Sequence, residues 1–363
     1  MSGASVGVTS ARRMRAAVLR AWNDLRVEEV EVPALEPGEV LCRVRACGIC
    51  GTDLKLAEGA FAGVWPPALP FIPGHEWAGE VAAVGEGVSD LAVGDRIAAE
   101  NHAGCGHCTM CRTGRYNLCE AAARPGAHHR LYGHTAQGAF AEYAARPALL
   151  LHKMPPGLDF EEGVIANQAA TALNAARRSR IEPGNVVAVL GPGLMGLLAM
   201  QIARAMGAYQ TIVLGTGRAG RLALATELGA SAVIDVTQGD PVQRVRELTG
   251  GRGADVAVEC AGTPDAVRMA MQLVRRGGRV GLTGLTGRKE VGLVTDRLVL
   301  DELDVFGVRS APNLYDDALR LIAARRVDAR RLVTHRFPLE AIADGYKLFR
   351  QRDSGAIRVV IQI

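Results

Sequence analysis

Four of the eight cysteines lie close together in the segment GCGHCTMCRTGRYNLC. Cys105, Cys108 and Cys111 recur every three residues, and Cys119 follows eight residues later. Four thiolates complete a closed tetrahedral zinc shell, and such a shell leaves no position for a substrate. The spacing therefore indicates a structural zinc site. An iron–sulfur cluster also uses four cysteines, and inert thiols are the remaining alternative.

A second set of metal-binding side chains precedes this segment. Cys50 offers a thiolate, and His75 and Glu76 follow downstream with an imidazole and a carboxylate. A cysteine and histidine site with an incomplete shell suits a catalytic zinc, because the open position accepts a substrate oxygen. Cys47 and Cys50 also form a C-x-x-C pair, so a thioredoxin-like redox site is an alternative. Taken alone, a histidine such as His75 is more often a satisfied core residue than a metal ligand.

A glycine-rich segment, GPGLMG, lies between the apolar run VVAVL and a helical pattern. This context, strand before and helix after, is the one in which G-x-G-x-x-G binds a dinucleotide, since the glycines let backbone N–H groups approach the pyrophosphate. An ordinary glycine-rich turn is the alternative. The expected cofactor-binding residues of this segment are Gly191, Gly193, Leu194, Met195 and Gly196.

The elements around these residues change character along the chain. From Met14 to about Leu150, short alternating runs are separated by glycine and proline, which predicts a β-rich, barrel-like domain. After Pro183, short apolar runs alternate with helical stretches, which predicts parallel βαβ units. The final segment holds one amphipathic helix and a strand that suits the first domain. With 363 residues, we expect two domains and an α/β fold class.

Composition restricts the partners. The chain has 42 Lys and Arg against 38 Asp and Glu, a formal charge of +4, so we expect neither a nucleic-acid nor a membrane partner. No apolar run reaches the roughly 18 residues of a membrane span, and the first residues lack the apolar core of a signal peptide. We therefore expect a cytoplasmic protein, in which cysteines bind metal or stay as thiols.

Six motifs together resemble those of the zinc-dependent medium-chain dehydrogenases, a family that includes alcohol, threonine and sorbitol dehydrogenases. They are CGICGTD, GHEWAGEV, the four-cysteine segment, GAFAEY, GPGLMG and the final IRVV. The resemblance runs from about Met14 to Ile363. It implies that Cys50 and His75 bind a catalytic zinc, that Glu76 is an occasional ligand, and that the four cysteines bind a structural zinc. Two Zn²⁺ per chain are thus expected.

The resemblance also implies a fold, a GroES-like β-rich catalytic domain interrupted by a Rossmann domain with a doubly wound parallel sheet. We assign residues 1–13 to a flexible tail, 14–168 and 309–363 to the catalytic domain, and 169–308 to the Rossmann domain. The active site would lie in the cleft between the domains. The implied activity is hydride transfer between a small primary or secondary alcohol, or its carbonyl product, and NAD(P). A homodimer or homotetramer is expected.

Three positions depart from the family pattern. The family's further zinc ligand, usually Cys or Glu, is here Asn167, a weaker ligand, so Glu76 or water would complete the shell. The family's relay histidine is replaced by Lys55. The acidic residue that holds the adenosine ribose is replaced by Thr216.

The loss of that acidic residue bears on the choice of cofactor. An acidic side chain at this position repels a 2′-phosphate, and Thr216 does not. Arg218 and Arg221 follow closely and could bind the phosphate, so the sequence predicts a preference for NADP(H) over NAD(H). The alternative is that Arg221 is a solvated helix residue and that both cofactors are accepted.

Further roles follow from the family's pattern. Thr52 would carry the hydroxyl proton outward through the cofactor ribose, and Asp53 would orient His75. Simple turn chemistry is the alternative for both. Arg358 would contact the cofactor pyrophosphate, or be a solvated arginine of the terminal strand.

Aromatic and histidine side chains outside these motifs have two interpretations. Phe61 and Trp65 would line the substrate cleft or pack in the core. Four further histidines could bind a metal or the substrate, but they lack paired spacing, and we interpret them as loop residues. They are His128, His129, His134 and His152.

Two rival functions remain at this point. A zinc-free quinone or enone reductase has the same dinucleotide fold but lacks the metal-binding cysteines. A zinc-stabilised module that binds nucleotide without catalysis would fit the departures at Asn167 and Lys55. The substrate itself is beyond a single sequence, because pocket-lining loops cannot be located from it.

Overall fold

A computed structural model describes residues 12–122, 130–287, 289–351 and 353–363. It confirms the α/β fold class, with a mixed β-sheet region and a parallel sheet flanked by helices. Within the described residues, no helix is both long and apolar enough to cross a membrane. His128 and His129 lie outside the described residues.

The first part of the chain is mostly β-structure. Its strands are β1 (Arg13–Ala21), β2 (Asp24–Glu31), β3 (Glu39–Ile49), β4 (Trp77–Val84), β5 (Arg96–Ala99), β6 (His102–Ala103), β7 (Arg130–Leu131), β8 (Tyr143–Pro147) and β9 (Leu151–Lys153). Its helices are α1 (Gly51–Ala57), α2 (Thr109–Arg112) and α3 (Phe160–Arg178).

The second part alternates strands with helices, as the sequence predicted. It contains β10 (Val186–Leu190), α4 (Leu194–Ala205), β11 (Gln210–Gly215), α5 (Arg221–Glu227), β12 (Ala232–Asp235), α6 (Pro241–Leu248), β13 (Ala254–Glu259), α7 (Pro264–Leu273), β14 (Val274–Leu282), α8 (Thr295–Leu300) and β15 (Asp304–Gly307). The chain ends with α9 (Tyr315–Ala323), β16 (Val333–Pro338), α10 (Ile342–Arg350) and β17 (Arg358–Gln362).

The strands of the second part form one parallel sheet in the order β12-β11-β10-β13-β14-β15. This is the strand order of a Rossmann fold, in which a dinucleotide binds beyond the carboxyl ends of the strands where the order reverses. The central strand β10 is buried along its whole length, as expected for a strand covered by helices on both faces. The glycine-rich segment directly follows β10, so it lies at this position.

The first part and the end of the chain share a sheet in the order β16-β17-β3-β4-β5-β9, with β8 also paired to β3. Strand β17 pairs antiparallel with β3, and Val359 lies opposite Ile49. This pairing confirms that the terminal strand belongs with the first region. It also places Arg358 beside the end of β3, where Cys50 follows.

Helix α3 lies between the two regions. Asp159 caps its N-terminus by accepting a hydrogen bond from the N–H of Glu162, and Glu162 accepts one from the N–H of Asp159. The helix packs against α4 and α9 and against β3, β4 and β5, and eleven of its residues are buried. The predicted domain boundary at 168/169 falls inside this helix. The other boundary, at 308/309, follows β15 directly.

The start of the fold differs slightly from the predicted one. Arg12 and Arg13 were assigned to the tail, but Arg12 lies over the ring of Tyr143, at 5.3 Å from its centroid, and Arg13 begins β1. The reason is the pairing of β1 with β2, in which Arg13 lies opposite Glu31.

Candidate active site

Three metal-binding side chains converge where β3 ends and β4 begins. Cys50 directly follows β3 and is the N-cap residue of α1. His75 and Glu76 precede β4, and the pairing of Cys47 with Trp77 brings the start of β4 beside the end of β3. One ligand atom from each of Cys50, His75 and Glu76 lies within 4.8 Å of the other two. Two or three such ligands with an open position suit a catalytic zinc.

Asp53 fixes the orientation of His75. It is fully buried in the first turn of α1, where one carboxylate oxygen accepts a hydrogen bond from the N–H of Cys50 at 2.8 Å. The other oxygen lies 3.2 Å from Nδ1 of His75. Burial lowers the pKa of His75, but the Asp53 carboxylate outweighs it and the net pKa is raised. With Nδ1–H held in this way, Nε2 of His75 is left for a metal.

Thr52 and Lys55 also lie at this site. The hydroxyl oxygen of Thr52 is 3.8 Å from Sγ of Cys50, and both Thr52 and Lys55 line the same cavity as Cys50. Lys55 is exposed.

The carboxylate of Glu76 is fully buried and held by two partners from distant parts of the chain. One oxygen accepts a hydrogen bond from Nε2 of Gln168 at 2.6 Å, and the other pairs with the guanidinium of Arg358. Burial raises the pKa of Glu76, but the interactions with Arg358 and His75 outweigh this effect and lower the pKa to about 2. Glu76 is therefore an anion at neutral pH, as a carboxylate ligand of zinc must be.

Gln168 was not identified from the sequence. It lies next to Asn167 on α3, but a lone glutamine carries no spacing signal. Only the packing of α3 against β3 and β4 brings it to Glu76.

The burial of Arg358 decides between the two alternatives drawn from the sequence. The prediction of a solvated arginine is wrong, because Arg358 is only 2% exposed. Besides pairing with Glu76, it donates a hydrogen bond to the carbonyl of Ile49 at 2.9 Å. It also lines the cavity at the start of α4, so contact with a pyrophosphate stays a prediction.

Asn167 lines the cavity that Cys50 and His75 line. Tyr315 also lines this cavity, and its hydroxyl donates a hydrogen bond to the carbonyl of Ala99 at 2.9 Å. The role of Asn167 as a zinc ligand stays a prediction.

The four cysteines form a compact lobe, in which one sulfur from each lies within 4.8 Å of the others. The sulfurs of Cys105 and Cys111 are 4.0 Å apart, and so are those of Cys108 and Cys119. Zinc–sulfur bonds of about 2.3 Å in a tetrahedron place the sulfurs about 3.8 Å apart. The lobe therefore fits zinc without rearrangement.

Backbone N–H groups prepare these thiols for a metal. The N–H of Cys111 points to Sγ of Cys108 at 3.4 Å, and that of Cys105 points to Sγ of Cys119 at 3.4 Å. The first of these, with the N–H of Glu120, lowers the pKa of Cys108 to about 6. Burial raises the pKa of Cys111 to about 12, so this thiol would lose its proton only to a metal.

The glycine-rich segment has the geometry of a phosphate cradle. Gly191 follows β10 with φ +97°, a conformation that favours glycine. A Cβ on Gly196 would lie 1.9 Å from the carbonyl oxygen of Gly191, so no other residue fits there. A Cβ on Gly193, the N-cap of α4, would meet open space. Gly193, Leu194 and Met195 line a cavity of about 260 Å³ that Cys50 also lines.

The three residues expected to select the cofactor differ in their exposure to solvent. Thr216 and Arg218 are exposed just beyond β11. Arg221 donates a hydrogen bond to the carbonyl of Ala356 at 3.0 Å and lines the cavity at Gly193. The interpretation of Arg221 as a solvated residue is therefore wrong, because the side chain is turned towards the end of the chain. The contact of Arg218 with a 2′-phosphate stays a prediction.

A larger cavity, of about 550 Å³, joins the two regions. Cys50 and His75 line it from the first region, and Thr283 and Val308 from the parallel sheet region. Phe61 and Trp65 line this cavity and also pack on the core of the first region, so both interpretations of these two residues hold.

Two histidines interpreted as loop residues lie close to this cavity. His134 is in a turn and is buried, with its ring centroid 4.4 Å from that of His75. His152 belongs to β9, so its assignment to a loop is wrong. Its strand was too short to be recognised without its partner, β5.

Comparisons with known proteins agree with this geometry. Residues 36–156 match the alcohol dehydrogenase GroES-like domain, and residues 195–324 match the zinc-binding dehydrogenase domain. Sorbitol dehydrogenase of Bacillus subtilis is 34% identical over 97% of this chain and 98% of its own length. L-threonine 3-dehydrogenase of Symbiobacterium thermophilum is 36% identical over 94% and 96%.

A solved structure shows the same fold. A zinc-binding dehydrogenase of Sinorhizobium meliloti, bound to NADP, has a TM-score of 0.89 at 32% identity, over 97% of this chain and all of that one.

Proposed function

Because this chain belongs to the zinc-dependent medium-chain dehydrogenases and is an alcohol oxidoreductase that uses NAD(P), we propose that Cys50, His75 and Glu76 hold its catalytic zinc. The observation that carries the proposal is the convergence of their ligand atoms within 4.8 Å on a cavity shared by both regions. Zinc bound there would supply Lewis acidity that favours loss of the substrate's hydroxyl proton, and the nicotinamide would take the hydride.

The other side chains of the site act on this chemistry by position. Asp53 keeps the Nδ1–H of His75 engaged, so that Nε2 stays available for the metal. The hydroxyl of Thr52, beside Cys50, is placed to receive the substrate's proton. Arg358 and Gln168 hold the buried carboxylate of Glu76.

We also propose that Glu76, rather than Asn167, is the third protein ligand. The pKa of Glu76 is lowered to about 2, so its carboxylate is charged at neutral pH, whereas the amide of Asn167 is neutral and a weaker zinc ligand. Glu76→Gln should weaken zinc retention against a chelator clearly, and Asn167→Ala should change it little. Zinc loss from Asn167→Ala alone would show that the amide is the ligand.

The experiment for the function is an assay with and without zinc. Alcohols, polyols and amino alcohols, sorbitol and L-threonine among them, are offered with NADP⁺ or NAD⁺, and reduced nicotinamide is followed by absorbance. We expect turnover that a chelator abolishes and zinc restores. Reduction of quinones or enones at an undiminished rate without zinc would favour the reductase alternative. Cofactor binding without turnover of any substrate would favour the non-catalytic module.

A second zinc, bound by Cys105, Cys108, Cys111 and Cys119, is proposed for the lobe. The sulfur distances and N–H contacts support it. All four ligands are protein side chains, so this zinc would support structure rather than catalysis.

NADP(H) is the proposed preferred cofactor. Thr216 brings no negative charge to the end of β11, Arg218 is exposed beside it, and the similar structure from Sinorhizobium meliloti binds NADP. Charge-assisted hydrogen bonds from one arginine contribute about 1.5–3 kcal/mol, or roughly 10- to 150-fold in affinity.

Arg218→Ala tests this preference directly. It should lower kcat/KM for NADP⁺ by at least about tenfold and leave that for NAD⁺ nearly unchanged. Arg244→Ala is the control, because Arg244 is an exposed helix arginine that forms an ion pair with Glu247 on its own helix. Equal kcat/KM values for the two cofactors in the unmodified enzyme would contradict the preference.

Oligomerisation is proposed through the edge of the parallel sheet. Strand β15 is the last strand of that sheet, and exposed apolar side chains lie near it in sequence, namely Leu285, Val294, Val299 and Leu300. Such an edge is suited to pairing with a second copy, giving a homodimer or homotetramer. Val299→Asp should reduce the mass measured in solution, and Val93→Asp, an exposed valine elsewhere, should not.

The domain ranges are proposed as 14–168 with 309–363 for the catalytic domain and 169–308 for the Rossmann domain. The second boundary is supported by the end of β15.

We propose a cytoplasmic location, which the eight free cysteines support. We propose small alcohols and their carbonyl products as partners, and we propose neither a nucleic-acid nor a membrane partner.

A further inference from the structure

A row of ionisable side chains leads from the substrate cavity to the surface beside the four-cysteine lobe. Glu100 lines the substrate cavity and also a second cavity of about 450 Å³, as His102 does. His152, Asp316 and Cys111 line the second cavity as well. Side-chain exposure rises from 5% at Glu100 to 16% at His152 and 62% at Asp316. These three side chains therefore connect the cavity with solvent.

His152 lies between the two carboxylates with one nitrogen towards each. Its Nδ1 is 2.9 Å from a carboxylate oxygen of Asp316, and its Nε2 is 3.7 Å from one of Glu100. Nε2 is buried and has no hydrogen-bond partner among the described residues. When Nδ1 carries the proton donated to Asp316, Nε2 presents a lone pair towards Glu100. Stacking on Tyr315, at 4.7 Å and 17°, holds the ring in this orientation.

The groups around this row place two carboxylates beside His152. The hydroxyl of Tyr116 donates to Glu100 at 2.9 Å. Arg96 is on β5, the strand that pairs with the strand of His152. Its guanidinium carbon lies over the ring of Phe160, at 4.4 Å from the ring centroid. Burial lowers the pKa of His152, but the two carboxylates outweigh it and the pKa is raised. An imidazole held between two carboxylates can accept a proton on one nitrogen and release one from the other.

The substitution at Lys55 creates a need for such a route. Each alcohol oxidation releases one proton, and the family's relay histidine is here replaced by the exposed Lys55. A lysine side chain donates hydrogen bonds but does not accept them, so it is a poor receiver for this proton. We propose that Glu100, His152 and Asp316 form a proton exit from the substrate cavity, a role that rests on the proposed alcohol oxidation.

One proton moves along this row in each turnover. The substrate's hydroxyl proton reaches the carboxylate of Glu100 through water in the cavity. Glu100 then gives a proton to Nε2 of His152, and the Nδ1 proton passes to Asp316 and to solvent. The ring then turns about its Cβ–Cγ bond within its stack on Tyr315, gives the Nε2 proton to water in the second cavity, regains a proton on Nδ1 from solvent and turns back, so that one proton leaves per turnover. In carbonyl reduction the same steps run in reverse.

The test measures proton release and turnover separately. Zinc-loaded enzyme with NADP⁺ is mixed with 2,2,2-trifluoroethanol, an acidic alcohol that resists oxidation, and proton release is followed with a pH indicator in weak buffer. His152→Gln should slow this release roughly tenfold while its amplitude stays the same. The effect is below the 10²–10⁴-fold of a direct general base, because water partly replaces the imidazole.

Rescue separates a proton role from a structural one. His152→Ala opens space for imidazole, which should restore the release rate in proportion to its concentration. His335→Gln is the matched control, because His335 is also half-buried but contacts Thr334 on β16 and lines neither cavity. It should release protons at the unmodified rate.

Two results would overturn the proposal. Unmodified release in His152→Gln, with turnover intact, would remove the proton route and leave the alcohol oxidation standing. An unmodified enzyme that neither releases protons nor reduces NADP⁺ with any alcohol would remove both.

Discussion

The four-cysteine lobe and the Cys50 site would both hold zinc, but they are assembled in different ways. The lobe takes all its ligands from one short segment, 105–119, around the single-turn helix α2. The Cys50 site takes its ligands from the ends of β3 and β4, and it depends on Gln168 from α3 and Arg358 from β17. The lobe is thus local, whereas the Cys50 site exists only when the whole region is folded.

This difference predicts what each metal does for the protein. The lobe has few buried side chains of its own, and none in α2, so metal binding must supply much of its folding free energy. The Cys50 site is held by sheet pairing and by a buried ion pair. Its metal should therefore matter for catalysis and little for stability.

The largest expected effect is on turnover. Cys50→Ala should lower kcat on the order of 10³-fold or more, since a Lewis-acidic metal contributes several kcal/mol. The thermal unfolding midpoint should change little. Cys42→Ala is the control, because Cys42 is a buried thiol of β3 that lines neither metal site. Turnover of Cys50→Ala comparable to that of the control would break the comparison.

The next effect is on stability. Cys111→Ala should lose the lobe's zinc and lower the free energy of unfolding by roughly 4 kcal/mol, the value for a ligand present at about a thousandfold its Kd. Denaturant unfolding with and without added zinc measures it. If the unmodified chain gains no stability from zinc, the lobe does not need its metal to fold.

Removing the cation that supports Glu76 should also destabilise the fold. Arg358→Met leaves a buried carboxylate unpaired and should cost about 3 kcal/mol in unfolding free energy. Arg336→Met, on the neighbouring strand, removes a partly exposed pair with Glu161 and should cost less than about 1 kcal/mol. Equal losses in the two variants would mean that Glu76 does not depend on Arg358.

The smallest expected effect is a pH-dependent change in stability at His152, which lies in the cavity beside the four-cysteine lobe. The pKa of His152 is raised in the fold, so its contribution to stability is fully present below the unfolded value of about 6.5 and is lost as pH rises through the folded value. The difference in unfolding midpoint between the unmodified protein and His152→Gln should be larger at pH 6 than at pH 9. A difference that grows with pH would contradict the sign of the shift.

The two sites also differ in how far the sequence predicts them. The spacing of Cys105, Cys108, Cys111 and Cys119 indicates their site directly, because neighbours in sequence stay neighbours in space. Cys50, His75 and Asp53 were found from their residue types and from a family resemblance. The strand–glycine–helix order likewise predicted the cradle at Gly191 and the parallel sheet.

Long-range contacts were not predictable. The approach of Gln168 to Glu76 depends on how α3 packs, and the burial of Arg358 depends on the pairing of β17 with β3. Arg221 was predicted to bind the 2′-phosphate or, alternatively, to be a solvated helix residue, but the chain end near Ala356 offers it a carbonyl. His152 was interpreted as a loop residue because it lacks paired spacing, and its strand of only three residues was not recognised.

Zinc content per chain tests the central claim most directly. The unmodified protein, purified without added chelator, should contain two zinc ions per chain by elemental analysis. Cys50→Ala and Cys111→Ala should each contain one, and the doubly substituted chain none. A single zinc in the unmodified protein, removed by only one of the two substitutions, would contradict the account.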